Sequence, residues 1–179
     1  MRYAQIRSMD VSNGEGVGVS LFVQGCTFHC KNCFNSETWD FNGGKEWTEE
    51  TKEKLIGLIA RPYIKRVSIL GGEPLAKQNL DDVLKLIKEI RISFPKKNIW
   101  LYTGYDFQQI FRGESKCLSQ EGLNDFKRRG IIKLCDIVID GRYIDSKRDV
   151  TLAYRGSKNQ RVIDVQKTLT QGKIVLYLQ

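Results

Sequence analysis

The 179-residue chain contains three prolines and one histidine, and it has no low-complexity segment or internal repeat. With 41% hydrophobic and 28% charged residues, those scarcities exclude disordered and fibrous classes and leave an ordinary globular composition. No run of about 18 apolar residues occurs, which removes the expectation of a membrane-spanning helix. The opening stretch, Met1-Arg2-Tyr3-Ala4-Gln5-Ile6-Arg7-Ser8, has no apolar core of signal-peptide length, so the expected location is the cytoplasm. A long basic block is also missing. The 29 Lys and Arg are scattered among 21 Asp and Glu with no interleaved aromatic series, so the net charge of +8 reads as a solvated basic surface before it reads as a nucleic-acid site.

What is present starts with size. A chain of this length fits one domain, residues 1–179, able to bury roughly 70% of its unfolded surface without disulfides. Five cysteines is an odd count, and in a reducing compartment clustered thiols are more often metal ligands or catalysts than disulfides. Three of them, Cys26, Cys30 and Cys33, crowd into one short segment.

Elements alternate along the chain. The β-branched run Val17-Gly18-Val19-Ser20-Leu21-Phe22-Val23 predicts a buried strand feeding the cysteine loop. A helix follows, with Thr48 as N-cap, Glu49 and Glu50 at its positive end, Leu55, Leu58 and Ile59 on one face, and Pro62 as its stop. Arg66-Val67-Ser68-Ile69-Leu70 predicts a strand. The next helix starts near Asn79 and carries Leu80, Val83, Leu84, Ile87 and Ile90 at helical spacing. Asn98-Ile99-Trp100-Leu101-Tyr102 reads as a strand, residues 106–129 as polar helix, and Cys135-Asp136-Ile137-Val138-Ile139 as another strand. Thr170-Gln171-Gly172-Lys173 separates apolar runs as a hairpin turn would. The order β, α, β, α, β, α, β predicts an α/β fold with mostly parallel strands, either an open doubly wound sheet or a curved barrel-like one. Either way ligands gather at the carboxyl ends of strands, where the cysteine loop, Gly71-Gly72-Glu73-Pro74, Thr103-Gly104 and Asp140-Gly141 should meet.

Gaps of three and two residues let one loop curl Cys26, Cys30 and Cys33 around a single metal centre, and thiolates suit zinc or iron–sulfur clusters. Structural zinc takes four protein ligands. Three cysteines would leave one iron of a four-iron cluster free for substrate. A zinc loop completed by His29 or a distant cysteine is the competing reading. Gly71 and Gly72 let backbone groups approach a ligand, and Glu73 can accept a hydrogen bond from a ligand ammonium, although paired glycines before a proline also make an ordinary turn. Cys117 lies in a polar stretch as an exposed thiol, and Cys135 begins an apolar strand as core.

Cys26-Thr27-Phe28-His29-Cys30-Lys31-Asn32-Cys33 together with Gly71-Gly72-Glu73-Pro74 resembles the radical S-adenosylmethionine superfamily. Cys33-Phe34-Asn35-Ser36-Glu37-Thr38-Trp39-Asp40 is similar to activators of glycyl-radical enzymes. Trp100-Leu101-Tyr102-Thr103-Gly104-Tyr105, Asp140-Gly141-Arg142-Tyr143 and Arg155-Gly156-Ser157-Lys158-Asn159-Gln160 resemble the anaerobic (class III) ribonucleotide reductase activating enzymes, so the likeness runs to about Arg161.

The resemblance implies a partial, open TIM-like βα barrel with a cluster loop at residues 24–36 and a tail at 162–179 of unassigned role. It implies a [4Fe-4S] cluster on Cys26, Cys30 and Cys33, with S-adenosylmethionine on the fourth iron. Reductive cleavage then gives a 5′-deoxyadenosyl radical that takes hydrogen from a glycine of the anaerobic reductase, with flavodoxin or ferredoxin as electron donor. Gly71, Gly72 and Glu73 carry over to the methionine end, Asn32 and Phe34 beside Cys33 to the adenine, and Thr103 to the cofactor wall. Phe34 and Trp39 read equally as core aromatics, and for Trp39 that is the better reading. Asp140 is either a cofactor contact or a turn cap, and residues 155–160 either face the reductase or form a polar loop. Asn32 departs from the superfamily, where an aromatic residue often precedes the last cysteine. Two rivals remain: an activator of pyruvate formate-lyase or another glycyl-radical enzyme, and a non-catalytic zinc module that binds nucleic acid.

Overall fold

The structure, a computed structural model, describes residues 1–112 and 119–178. Eight strands form one sheet: β1 (Arg2–Asp10), β2 (Gly18–Val23), β3 (Lys45–Glu46), β4 (Arg66–Gly71), β5 (Asn98–Tyr102), β6 (Ile137–Asp140), β7 (Arg161–Asp164) and β8 (Leu176–Leu178). Their order is β3-β1-β2-β4-β5-β6-β7-β8, so the sheet is open. The helices are α1 (Glu49–Ala60), α2 (Leu80–Ser93), α3 (Phe107–Arg112), α4 (Gln120–Lys133) and α5 (Val165–Gln171). No helix among the described residues is long and apolar enough to cross a membrane.

The four central strands β2, β4, β5 and β6 are parallel, as the alternation of strands and helices predicts. Their residues are almost all buried, as expected of strands covered on both faces. The expectation of a mostly parallel sheet is corrected at the flanks. β1 and β3 on one side, and β7 and β8 on the other, pair antiparallel. Residues 170–173 do not form a hairpin turn either. Thr170 and Gln171 end α5, and Gly172 at φ 66° closes it by donating its N–H to Thr168 O.

Local chemistry sets the helix ends. Thr48 Oγ1 accepts from Thr51 N at 3.2 Å, the expected cap of α1. Asn79 makes no such bond. Its amide instead donates to Gln24 O and Glu73 O, both at 3.0 Å, and so ties the start of α2 to the two loops that carry the site. The polar helix expected over 106–129 is two helices, α3 and α4, and Cys117 lies outside the described residues.

Strand alternation divides the side chains of β5. Ile99 and Leu101 enter the main core with α1, α2 and α4, whereas Trp100 and Tyr102 belong to a smaller cluster with Ile137, Ile139 and Val162. Cys135 is fully buried in the main core, as its apolar context predicts.

Candidate functional site

Chain geometry at the end of β2 builds the cysteine loop. Gly25 sits at φ 95°, where an added Cβ would lie 2.1 Å from the Phe41 ring. The loop is hung on backbone bonds from Gly25 N to Thr38 O (2.8 Å) and Cys26 N to Trp39 O (3.0 Å). His29 and Asn32 adopt left-handed backbone at φ 45° and 55°, and Cys33 N closes a turn onto Cys30 O at 3.0 Å. These reversals curl the segment back on itself. Cys26, Cys30 and Cys33, all free thiols, line one cavity of about 400 Å³. Burial pushes the Cys26 thiol up, with help from Glu73, and burial and then Cys33 push up Cys30. His29 is not in the cavity wall. Its ring stacks on Trp39 at 4.8 Å. Among the described residues no three His, Cys, Asp or Glu side chains form a group that could hold a metal ion.

The glycine pair abuts this loop. Gly71 is at φ 103°, and a Cβ on Gly72 would meet Gly25 O at 2.5 Å and Thr38 O at 2.9 Å. Gly72 N donates to Val23 O and Glu73 N to Gly25 O, both at 2.8 Å. Without side chains at both positions the two loops can touch backbone to backbone. Glu73, 1% exposed, accepts at Oε1 from Leu75 N and Thr103 Oγ1 (2.8 Å each) and at Oε2 from Gly104 N (2.7 Å). Burial outweighs these bonds and the nearby Arg128 charge, and its pKa is pushed up to about 7. Thr103 therefore clamps Glu73 as well as lining the cavity.

The loop after β6 supplies the opposite rim. Phe34 is 55% exposed and lines the cavity, tilted on Tyr143 at 5.2 Å with the Arg148 guanidinium 5.3 Å from its ring. A Cβ on Gly156 would lie 2.7 Å from that ring. Phe34 is thus held by contacts without being core, while Trp39 is half-buried in the wall. Asn32 is exposed and outside the lining, its amide donating to Asp145 Oδ2 at 2.9 Å. Asp140 is buried, accepting from Phe107 N at 2.9 Å and pairing with Arg161, so its carboxylate caps α3. Arg155, Gly156 and Gln160 line the cavity, and Gln160 Oε1 binds the Gly156 and Ser157 N–H groups. Among the lining residues that sequence reasoning did not assign to the site are Arg7, Asn13, Tyr102 and Tyr154. Alternation along β5 points Tyr102 to this face, whereas no sequence signal marks the other three.

The three thiols do not converge on a single ion, but they line one cavity beside a glycine backbone and a buried carboxyl, and an iron–sulfur cluster takes each thiolate on a different iron, so their chemistry fits such a cluster. Residues 12–163 match a family described as "4Fe-4S single cluster domain". The anaerobic ribonucleoside-triphosphate reductase-activating protein of Escherichia coli K12 is 34% identical over 164 residues, covering 90% of this chain and 97% of that protein. The chain belongs to that family of activating proteins. Members from Vibrio cholerae (35% identical; 89% of this chain, 96% of that protein) and from enterobacteria phage T4 (34%; 90% and 93%) carry the same name. The family match spans the cysteine loop, the glycine pair and the rim after β6 in one stretch.

Proposed function

We propose that this chain is a radical S-adenosylmethionine activase that installs a glycyl radical on an anaerobic ribonucleoside-triphosphate reductase. The carrying observation is that Cys26, Cys30, Cys33, Gly71, Gly72 and Glu73 line one cavity. Cys26, Cys30 and Cys33 would hold the [4Fe-4S] cluster, which when bound supplies the electron for reductive cleavage of the sulfonium. Gly71 and Gly72 present backbone to the methionine end of the cosubstrate. Glu73, aimed by Leu75, Thr103 and Gly104, accepts from its ammonium. Thr103 walls that end. Phe34 offers an exposed ring to the adenine, and Asn32, tied to Asp145, fixes the turn from which Phe34 projects.

The eight strands of one sheet support a single domain over residues 1–179, read as a partial βα barrel whose parallel strands β2, β4, β5 and β6 form its wall. Flavodoxin or ferredoxin is the proposed electron donor and the cytoplasm the proposed location. The relatives' names favour the reductase over pyruvate formate-lyase as partner. His29, packed on Trp39, does not support the zinc-module reading.

The test is anaerobic reconstitution with iron and sulfide. Brown protein that releases 5′-deoxyadenosine from S-adenosylmethionine under reduction, and gives a glycyl-radical resonance only with the reductase, is expected. Colourless zinc protein, or cluster-loaded protein that makes no 5′-deoxyadenosine, would remove the proposal.

A further inference from the structure

The sheet face opposite the main core carries aromatic residues to which the proposed activity gives no task. Tyr102 and Tyr154 line the cavity that holds the three cysteines. The Tyr102 hydroxyl is buried with no hydrogen-bond partner, so the wall has an untied phenol. Tyr154 sits at φ 61°, a left-handed backbone that bulky residues seldom adopt. Its ring meets Trp100 edge-on, 5.1 Å between centroids, and Trp100 meets Tyr177 edge-on at 5.6 Å. Trp100 is 1% exposed and Tyr177 36% exposed. The Tyr177 hydroxyl donates to the Glu15 carboxylate.

Ring contacts therefore run unbroken from the cavity wall, through a buried indole, to a solvent-reaching phenol beside a proton acceptor. Edge-on packing alone would account for the three rings. It does not account for a tyrosine kept in left-handed backbone at the cavity end, nor for a carboxylate on the last phenol.

We propose that Tyr154, Trp100 and Tyr177 form a radical-discharge relay, which carries an oxidising equivalent out of the cavity when a carbon radical is made there with no glycine in place to receive it. The relay rests on the radical chemistry proposed above. A primary carbon radical takes the phenolic hydrogen atom of Tyr154, because the C–H bond formed is stronger than the O–H bond broken. Trp100 then gives one electron to the Tyr154 oxygen, which takes a proton from water. Tyr177 returns an electron to Trp100 and passes its hydroxyl proton to Glu15. The proton held by Glu15 neutralises the hydroxide left by that water, so the net change is a quenched nucleoside radical and a Tyr177 phenoxyl radical at the surface, with Tyr154, Trp100 and Glu15 restored. The same rings cannot relay an electron from a biological reductant to the cluster, since neutral tyrosine and tryptophan yield electrons only to strong oxidants and accept none from such reductants.

Rapid-freeze electron paramagnetic resonance tests this on cluster-loaded enzyme given S-adenosylmethionine and dithionite, without the reductase. A tyrosyl signal that narrows with ring-deuterated tyrosine is expected. Tyr177→Phe should keep the parent rate of glycyl-radical formation when the reductase is present. Without it, the variant should lose the tyrosyl signal, die after several-fold fewer uncoupled turnovers, and accumulate oxidised Tyr154 or Trp100 peptides by mass spectrometry. Trp100→Phe should behave alike, and if it does not fold Tyr177→Phe decides alone. If 5′-deoxyadenosine forms with no tyrosyl signal and Tyr177→Phe survives as many turnovers as the parent, the relay is wrong. If the parent forms no 5′-deoxyadenosine, the activase reading goes and the relay with it.

Discussion

Raising the pH of the cluster-free, reduced protein from about 4 to about 8 should destabilise it, and Glu73 is the group responsible. Its carboxyl is 1% exposed, and burial lifts its pKa from 4.5 to about 7 against hydrogen bonds from Gly104, Leu75 and Thr103 and the charge of Arg128. Between those two values the folded chain holds a proton that the unfolded chain has released. The contribution is therefore complete below 4.5, shrinks across the window, and is gone above about 7. A shift of that size corresponds to about 3 kcal/mol, a sizeable part of the roughly 5–15 kcal/mol that holds a typical domain folded. The depressed carboxyls of Asp10, Asp145 and Asp149 titrate below 3.8 and that of Glu121 below 4.5, outside the window. Anaerobic urea unfolding at a series of pH values reads the slope directly. Glu73→Gln should abolish it: the amide oxygen still accepts from Leu75 N–H and the Thr103 hydroxyl, but the new NH₂ faces the Gly104 N–H. Leaving that buried donor unpaired costs about 1–3 kcal/mol, so the variant starts below the parent in acid and approaches it near neutrality. A flat parent profile, or a slope retained in Glu73→Gln, refutes the assignment.

Gly72→Ala puts a Cβ 2.5 Å from Gly25 O, so thermal unfolding should show a loss of about 1–3 kcal/mol and iron analysis weaker cluster retention. In contrast, Gly57→Ala, with nothing within 4 Å of the new methyl in α1, should gain about 0.5–1 kcal/mol. Arg128→Met removes the donor to Leu75 O (3.1 Å) and the cation over Tyr105 (4.6 Å). Its partners Glu121 and Asp125 are partly solvated, so the loss should be about 2–4 kcal/mol by denaturant titration, most of it from the unpaired carbonyl and the lost ring contact. Cys30→Ser should purify without iron or brown colour while its far-ultraviolet circular dichroism matches the parent, because Cys30 is half-buried and belongs to neither apolar core cluster.

Periodicity exposed the centre of the fold and hid its flanks for one physical reason. β2, β4, β5 and β6 are covered on both sides, so burial demanded continuous apolar runs, and α1 and α2 each bury one face. β1 has one neighbour of two residues on its outer side and is half-exposed or exposed everywhere but Asp10, and its Arg2, Gln5, Arg7 and Ser8 blur any alternation. β7 and β8 are four and three residues long, too short to show a period. Gly172 marks a real reversal, but the same glycine suits a hairpin or a helix C-cap, and what decides is Thr168 one turn earlier.

The cysteine and glycine motifs were legible because each must place a particular atom, a sulfur or a bare backbone, at a strand end. What aims those atoms comes from distant chain. The Thr103 hydroxyl and the Gly104 N–H orient Glu73, Asn79 bridges the Gln24 and Glu73 carbonyls, and Gly156 leaves room for the Phe34 ring. Such partners have no spacing rule, because the sheet sets their separation and the sequence does not. Gly72 shows how far that reaches: it opens backbone to the cavity, and it also lets the cysteine loop rest on the strand behind it. A methyl group there would disturb the thiols through Gly25 before it touched any ligand, so a change in cluster retention at this position measures loop packing as much as cosubstrate contact.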